Sequence, residues 1–260
     1  MKIIVCVKQV PDTETRVRIN ETGDGIAEND VNWVVSPFDE YAIEEALKIK
    51  QAKGEGEVVL VTLGPDRALT ALRSGLAMGA DSAVHVKDAA FDGLDPFGTA
   101  SVLARALKTL QPFDLVLVGQ QGVGGDNSQT AGLLAEMLDL PQVSVAVGIE
   151  VGDGKAVVER EIEGARETWE TSLPAVISAQ KGLNEPRYAN LKGIMQAKKK
   201  PVTVLDAAGL GIDAGSLAPK ISIVAMELPP PRPAVRMIEG DAAAQSAELI
   251  RALHEDSKVI

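Results

Sequence analysis

The chain has 260 residues, 45% of them hydrophobic, enough to bury the core of one large domain or two small ones. Its formal charge of -11 argues against a nucleic-acid partner, which needs a cationic face to displace phosphate counterions. One cysteine, Cys6, excludes an internal disulfide and a cysteine-ligated iron–sulfur cluster, and two distant histidines, His85 and His254, offer no metal-ligand spacing, so any redox centre has to be borrowed from elsewhere.

Lys2-Ile3-Ile4-Val5-Cys6-Val7 has the unbroken apolar composition of a parallel strand buried on both faces, placed where the central strand of a doubly wound sheet often begins. It is too short for a secretory signal, and no uncharged apolar run long enough to cross a membrane follows, so a cytoplasmic chain that is not membrane-inserted is expected. Residues Arg16 to Val35 interrupt the rhythm. Val17 and Ile19 alternate, Gly23-Asp24-Gly25 turns, and Val31 to Val35 is a second β-rich run, which together predict a hairpin excursion. Ser36, Pro37 and Asp39 have the spacing of a helix start: Ser36 as N-cap, Pro37 in the first turn, and Asp39 closing a capping box ahead of Ile43, Ala46 and Leu47.

Glu57 to Leu63 reads as the second buried strand, and Gly64-Pro65-Asp66 turns it into a helix whose Leu69, Leu72 and Leu76 share a face and which stops at Gly79. Ala83 to Val86 is a third strand, and Asp95-Pro96 opens a helix carrying Val102, Leu103, Ala106 and Leu110. Leu115 to Val118 is a fourth strand. After it come Gly119, Gln120, Gln121, Gly122, Val123, Gly124, Gly125, Asp126, Asn127 and Ser128, then an amphipathic segment from Gln129 through Thr130 to Leu138. Glycines between a strand and a helix let backbone N–H groups close on an anion at the helix's positive end, so this loop is a candidate phosphate cradle. The plain alternative is an ordinary connection with Asn127 or Ser128 as N-cap. Gly122 and Gly124 begin a dinucleotide fingerprint, but Asn127 stands where its third glycine belongs, and no Lys-Ser or Lys-Thr follows as in a P-loop.

The repeated alternation of strand and helix predicts an α/β fold with a doubly wound, mostly parallel sheet, Rossmann-like. Loops near Lys8, Leu63 and Gly119 then converge at the switch point, where an adenine nucleotide is the natural occupant. Val143 to Val151, Gly152-Asp153-Gly154 and Lys155 to Glu161 form an antiparallel hairpin by their alternation, and Pro174 to Ala179 is one more apolar strand. From Leu183 onward the rhythm is lost. Lys198-Lys199-Lys200 reads as a solvated face, and Pro229-Pro230-Pro231, Pro233 and a helix over Ala242 to Leu253 read as an arm that packs on another chain. The expected division is a nucleotide-binding domain over 1–182, with the hairpin extension within 143–179, and a partner-directed segment over 183–260.

The run Val-Glu-Arg-Glu-Ile-Glu-Gly-Ala-Arg-Glu-Thr-Trp-Glu-Thr-Ser-Leu-Pro-Ala-Val-Ile from Val158 to Ile177 resembles the signature of electron transfer flavoprotein β subunits. Leu183 to Pro201 is similar to that family's recognition loop, with Tyr188, Ala189, Asn190, Leu191, Lys192, Gly193, Ile194 and Met195 at its centre, and Ser36 to Asp39 and Asp126 to Thr130 look like its nucleotide loops. The resemblance spans nearly the whole chain. It implies the adenine nucleotide alpha hydrolase-like form of the α/β fold, and a heterodimer in which an α subunit holds a redox-active FAD and this chain supplies one wall of that site and a structural AMP. Carried over by position, the AMP pocket comprises Cys6, Ser36, Pro37, Phe38, Asp39, Leu63 and the stretch Gly119 to Thr130, with Asn127, Gln129 and Thr130 as polar contacts. Gly122-Val123-Gly124-Gly125 departs from the acidic run common in relatives. The resemblance further implies electrons received from flavin dehydrogenases such as acyl-CoA dehydrogenases and delivered to a membrane quinone oxidoreductase, with no bond-making chemistry in this chain. Leu191 would be the side chain inserted into a pocket of the dehydrogenase. Two alternatives stay open. One is an electron-bifurcating relative with a second FAD in the AMP site, whose loop usually reads Asp-Gly-Asp-Thr-Ala-Gln; the other is a stress-type adenine-nucleotide-binding protein or hydrolase, for which the sequence offers no catalytic motif.

Overall fold

The computed structural model describes residues 1–260, the side chains of Ala214 and Ser216 excepted. Its main sheet joins β1 (Lys2–Cys6), β4 (Glu57–Leu63), β5 (Ser82–Val86), β6 (Leu115–Gly119), β7 (Gln142–Val151), β8 (Lys155–Ile162), β9 (Ala165–Ser172), β10 (Ala175–Ala179) and β11 (Val202–Leu205). The strands lie in the order β11-β5-β4-β1-β6-β10-β7-β8-β9. From β11 to β7 all pairings are parallel, with Ile4 aligned to Val59 and Val116, and Val116 to Val176. β8 and β9 extend the sheet antiparallel. The chain leaves β1 toward β4 on one side and β6 on the other, so the switch point lies at the carboxyl end of β1, as the alternation predicts.

Strand periodicity divides the core. Ile3 and Val5 face one hydrophobic cluster with Ile43 and Leu47 of α1 (Pro37–Lys53) and Leu72 and Leu76 of α2 (Leu69–Met78). Ile4 and Cys6 face the other, with Leu103 and Leu107 of α3 (Pro96–Thr109) and Leu134 of α4 (Thr130–Leu138). Each fully buried leucine in these layers contributes about 1.5–3 kcal/mol, so the doubly covered sheet is the main source of stability.

The helix ends follow local chemistry. Asp95 Oδ1 accepts the Gly98 N–H at 2.8 Å to cap α3, and Gly79, with φ +143°, closes α2 in a conformation that side chains disfavour. Two expected caps do not form. Ser36 stands at the N-cap of α1, but its hydroxyl donates to the Gln121 carbonyl at 3.4 Å, and Asp39 reaches away from the helix altogether. α4 starts after Gln129 with no side-chain cap, so neither Asn127 nor Ser128 fills that role.

The interruption between β1 and α1 is more complex than one hairpin. β2 (Gln9–Pro11) pairs antiparallel with β3 (Trp33–Val35), and the loop between them is pinched by an Ile19–Ile26 bridge around the Gly23 turn. Beyond β10 regular structure continues. α5 (Leu191–Ala197) is a helix where no periodicity was visible, and β11 joins the main sheet beside β5. Lys200 is not a free solvated charge: its Nζ donates to the carbonyls of Leu76 and Ala80 at 2.9 and 2.5 Å, closing the end of α2. After Leu217 the chain extends as an arm ending in α6 (Ala242–Arg251) and a further turn over Ala252–Asp256.

Candidate functional site

A cleft of about 850 Å³ opens at the carboxyl ends of β1, β4 and β6. Its floor is tied together by one side chain. The Asp39 carboxylate accepts the Lys8 N–H at 2.6 Å and the Gly119 N–H at 2.9 Å, bridging the ends of β1 and β6 across the switch point. A Cβ on Gly119 would collide with that carboxylate and with Phe38, which is why glycine is required there. Burial pushes the Asp39 carboxyl up to about 7, against the two N–H donors, which favour the anion. Burial, reinforced by the charge of Asp39, raises the Cys6 thiol to about 12.

Above this floor the glycine loop folds on itself. The Asp126 N–H donates to the Gly122 carbonyl at 2.9 Å, the Gln121 amide donates to Asp126 at 3.0 Å, and Ser128 Oγ donates to Gln121 Oε1 at 2.9 Å. Gly124, Asp126 and Ser128 all take positive φ, which bends the chain around the mouth of the cleft and delivers it to the uncapped start of α4. Gln120 anchors the other side by accepting from Ser178 Oγ at 2.6 Å. The opposite wall is apolar: Leu63, Val118 and Leu103 with Phe91 and Leu94 of the β5–α3 connection. At the rim Arg67 stacks on Trp33 with 3.6 Å to the ring centroid and pairs with Glu28 at 2.8 Å, fastening the β2–β3 excursion to the start of α2. One end of the cleft therefore offers backbone N–H groups and the other a greasy slot, a combination suited to an amphipathic anion carrying an aromatic ring.

Of the residues expected here, Cys6, Asp39, Leu63, Gly119, Gln120, Gln121, Gly122 and Gly125 through Thr130 line the cleft together. Ser36 is buried behind Gln121, Phe38 backs Gly119, and Pro37, Val123 and Gly124 do not line it. Sequence reasoning missed the side chain of Lys8 and the wall made by Phe91, Leu94 and Leu103. Lys8 directly follows a buried strand, which is the one signal available for it; the apolar wall comes from an irregular connection that shows no period. Among the described residues there is no cluster of His, Cys, Asp or Glu able to hold a metal. His85 is buried, with Nε2 2.9 Å from the Gly64 carbonyl, and serves the fold.

A second surface lies on the sheet's other face. Arg187 grips Glu44 of α1 through two guanidinium contacts at 2.8 and 2.9 Å, and Asn184 donates to the Tyr41 carbonyl at 3.0 Å. Asn190 caps α5 by accepting the Gly193 N–H at 2.8 Å, and Gly193 lies so close to the Ala77 carbonyl that no Cβ fits. This fixed platform leaves Tyr188 at 98% and Leu191 at 75% exposure, with Ile194 and Met195 beside them, while Ala189 packs inward against the core.

Comparison with known proteins places these features in context. Residues 24–210 match the family model described as "Electron transfer flavoprotein domain". The chain is 40% identical to the electron transfer flavoprotein subunit beta of Bacillus subtilis (strain 168) over 261 residues, covering 100% of both chains. It is 38% identical to that of Sus scrofa, covering 100% of this chain and 99% of the relative, and 39% identical to that of Homo sapiens, covering 92% and 93%.

Proposed function

Since the chain belongs to the electron transfer flavoprotein family, among its β subunits, we propose that it binds AMP in the switch-point cleft and pairs with an α subunit whose FAD it helps to enclose. The observation that carries this reading is the single cleft in which the Gly119–Thr130 loop and an apolar wall face each other across the ends of β1 and β6. The adenine ring has the wall of Phe91, Leu94 and Leu103, and the phosphate has the amides of the loop leading into α4 other than those of Gly125 and Asp126, which donate to the Gly122 carbonyl. The residues fit such a group: Gly119 is barred from carrying a side chain by Asp39, and the loop is held open by bonds among its own members.

FAD, when bound on the α subunit, supplies the one- and two-electron chemistry. This chain's own part is to shape, to bind and to dock, so it is a carrier subunit and not an enzyme by itself. Electrons come from flavin dehydrogenases, acyl-CoA dehydrogenases among them, and go on to a membrane quinone oxidoreductase, with the β subunit remaining in the cytoplasm. Among the described residues no helix is long and apolar enough to cross a membrane. The α5 platform is the dehydrogenase-facing surface, since Leu191, Ile194 and Met195 project from a helix whose backbone is fixed by Asn190 and Gly193. Isolated apolar anchors of this size suit brief electron-transfer encounters.

Identifying the nucleotide released on denaturing the purified chain tests the reading. Retained, unturned AMP in a colourless chain, with yellow colour arriving only with the α subunit, is expected. A stoichiometric flavin would favour the bifurcating alternative, and ATP turnover would favour a nucleotide hydrolase. Asp126, the loop's lone carboxylate, is tied to Gln121, and Asp12 accepts from the Glu14 N–H and from Asn32, which are the bonds of loop residues.

A further inference from the structure

We propose that the Lys8 ammonium is the cation that holds the ligand's phosphate at the glycine-loop end of the cleft, and that it sets the preference for a phosphorylated nucleoside over a neutral one. The proposal rests on the nucleotide reading above and adds a residue that the positional resemblance does not include.

The backbone of Lys8 is fixed on both sides, its N–H donating to Asp39 Oδ2 at 2.6 Å and its carbonyl accepting the Ser36 N–H at 2.9 Å. Its side chain runs across the glycine loop. A Cβ on Gly122 would stand 2.7 Å from Lys8 Cδ and 2.8 Å from Nζ, and one on Gly125 would stand 3.8 Å from Nζ. A side chain at Gly122 would therefore push the lysine tip aside, an effect separate from backbone approach to a phosphate.

The charge is available. Two cations line the cleft, and Arg67 is committed to Glu28, to Gln9 at 3.0 Å and to the Trp33 ring. Lys8 Nζ has no ion pair or hydrogen bond among the described residues. Five of the six lining acids have other partners: Glu28 pairs with Arg67, Asp66 with Lys87, Asp88 accepts the N–H groups of Ala90 and Ala207, Asp126 accepts from Gln121, and Asp39, which also feels the Lys8 charge, accepts the N–H groups of Lys8 and Gly119. An ammonium with no ion pair, beside a loop of backbone donors, can hold a small dianion against the repulsion of the carboxylates at the rim.

The test is calorimetric titration of nucleotide-stripped full chain with AMP and with adenosine, in the wild type and in Lys8→Met, Lys8→Arg and Gly122→Ala. Lys8→Met should weaken AMP about ten- to a hundredfold and leave adenosine within about twofold, while Lys8→Arg recovers most of the loss. Gly122→Ala, which displaces the lysine without removing it, should weaken AMP comparably in the wild type and add little in the Lys8→Met background. Wild-type binding of AMP with no loss in Lys8→Met or Gly122→Ala overturns the lysine assignment and leaves the nucleotide reading standing. Equal loss of AMP and adenosine in Lys8→Met shows that Lys8 acts on the fold, which also overturns it. A stripped wild type that binds neither ligand overturns both.

Discussion

The chain up to Leu217 and the arm beyond it use similar apolar residues in opposite ways. In the first region Ile4, Leu60, Leu117 and Ile177 are fully enclosed between helices and sheet. In the arm Ile221, Ile223, Val224, Val235 and Met237 are all exposed, Val224 at 92%, and α6 buries no residue. The arm is nevertheless shaped. Asp95 reaches past its capping role to accept the Lys220 N–H at 2.7 Å, the Met226 N–H donates to the Gly23 carbonyl at 2.8 Å, and Asp241 caps α6 by accepting from Ala244 at 2.9 Å. Glu248 stands between Arg251 and Arg236, whose hydrogen bonds and charges hold its carboxyl down at about 2. Polar contacts thus hold the arm's form while its apolar side chains stay unmatched, as expected of a surface whose complement is another chain. That complement, in the proposed assembly, is the α subunit.

Removing residues 221–260 breaks the comparison most severely. Both core clusters survive intact, so the melting transition of the remainder should stay in place, while co-purification with a flavin-bearing α subunit is abolished. A truncated chain that still retains the partner would put the interface elsewhere. Next in size is a matched pair. Leu117→Ala should cost about 2–5 kcal/mol in denaturant unfolding, because it opens a cavity between two packed layers. Val224→Ala should stay within about 0.5 kcal/mol, and a large loss there would show the arm to be part of the folding unit.

The α5 platform lies between these extremes, with a fixed backbone and exposed tips. Leu191→Ala should weaken dehydrogenase-dependent reduction about ten- to a hundredfold, the equivalent of burying one leucine, with nucleotide content unchanged. A lowered melting temperature with unimpaired reduction would make Leu191 a structural residue.

An effect comparable in size to that of Leu191, but dependent on pH, belongs to Asp39. Its folded carboxyl, raised to about 7, binds its proton more tightly than in the unfolded chain, so its contribution is greatest at low pH and is withdrawn as pH rises from about 4 to about 7. Asp39→Asn turns an amide N–H toward a backbone N–H and should cost about 1–3 kcal/mol at acid pH. The difference from the wild type should narrow across that window; a constant difference would mean that Asp39 stays ionised throughout.

What was legible in the sequence follows from packing. The Val/Leu runs of β1, β4, β6 and β10 announce burial on both faces, and the Asp95-Pro96 start and the Gly79 stop of their helices depend only on neighbours in sequence. Elements at the sheet's margins were not legible. β9 is Ala-Arg-Glu-Thr-Trp-Glu-Thr-Ser, an edge strand with no apolar alternation because neither face is covered, and β11 is four residues that find their place only beside β5. Asp39 shows the limit most clearly. Its spacing from Ser36 fits a local capping box, yet two N–H groups from distant strands compete for the carboxylate and win. Lys8 is the same lesson at the site: the glycines were read for what they expose, and the structure shows what lies across one of them.

Cys6 sits at the end of β1, in the wall of the switch-point cleft. Burial, with the charge of Asp39, raises its thiol to about 12 and keeps it protonated at neutral pH, so the folded chain should resist sulfenylation and alkylation alike. The same residue becomes an ordinary reactive thiol once the sheet opens. The chain therefore carries its own chemical clock: the rate at which an alkylating reagent marks Cys6 counts openings of the switch point, without a probe having to be engineered in.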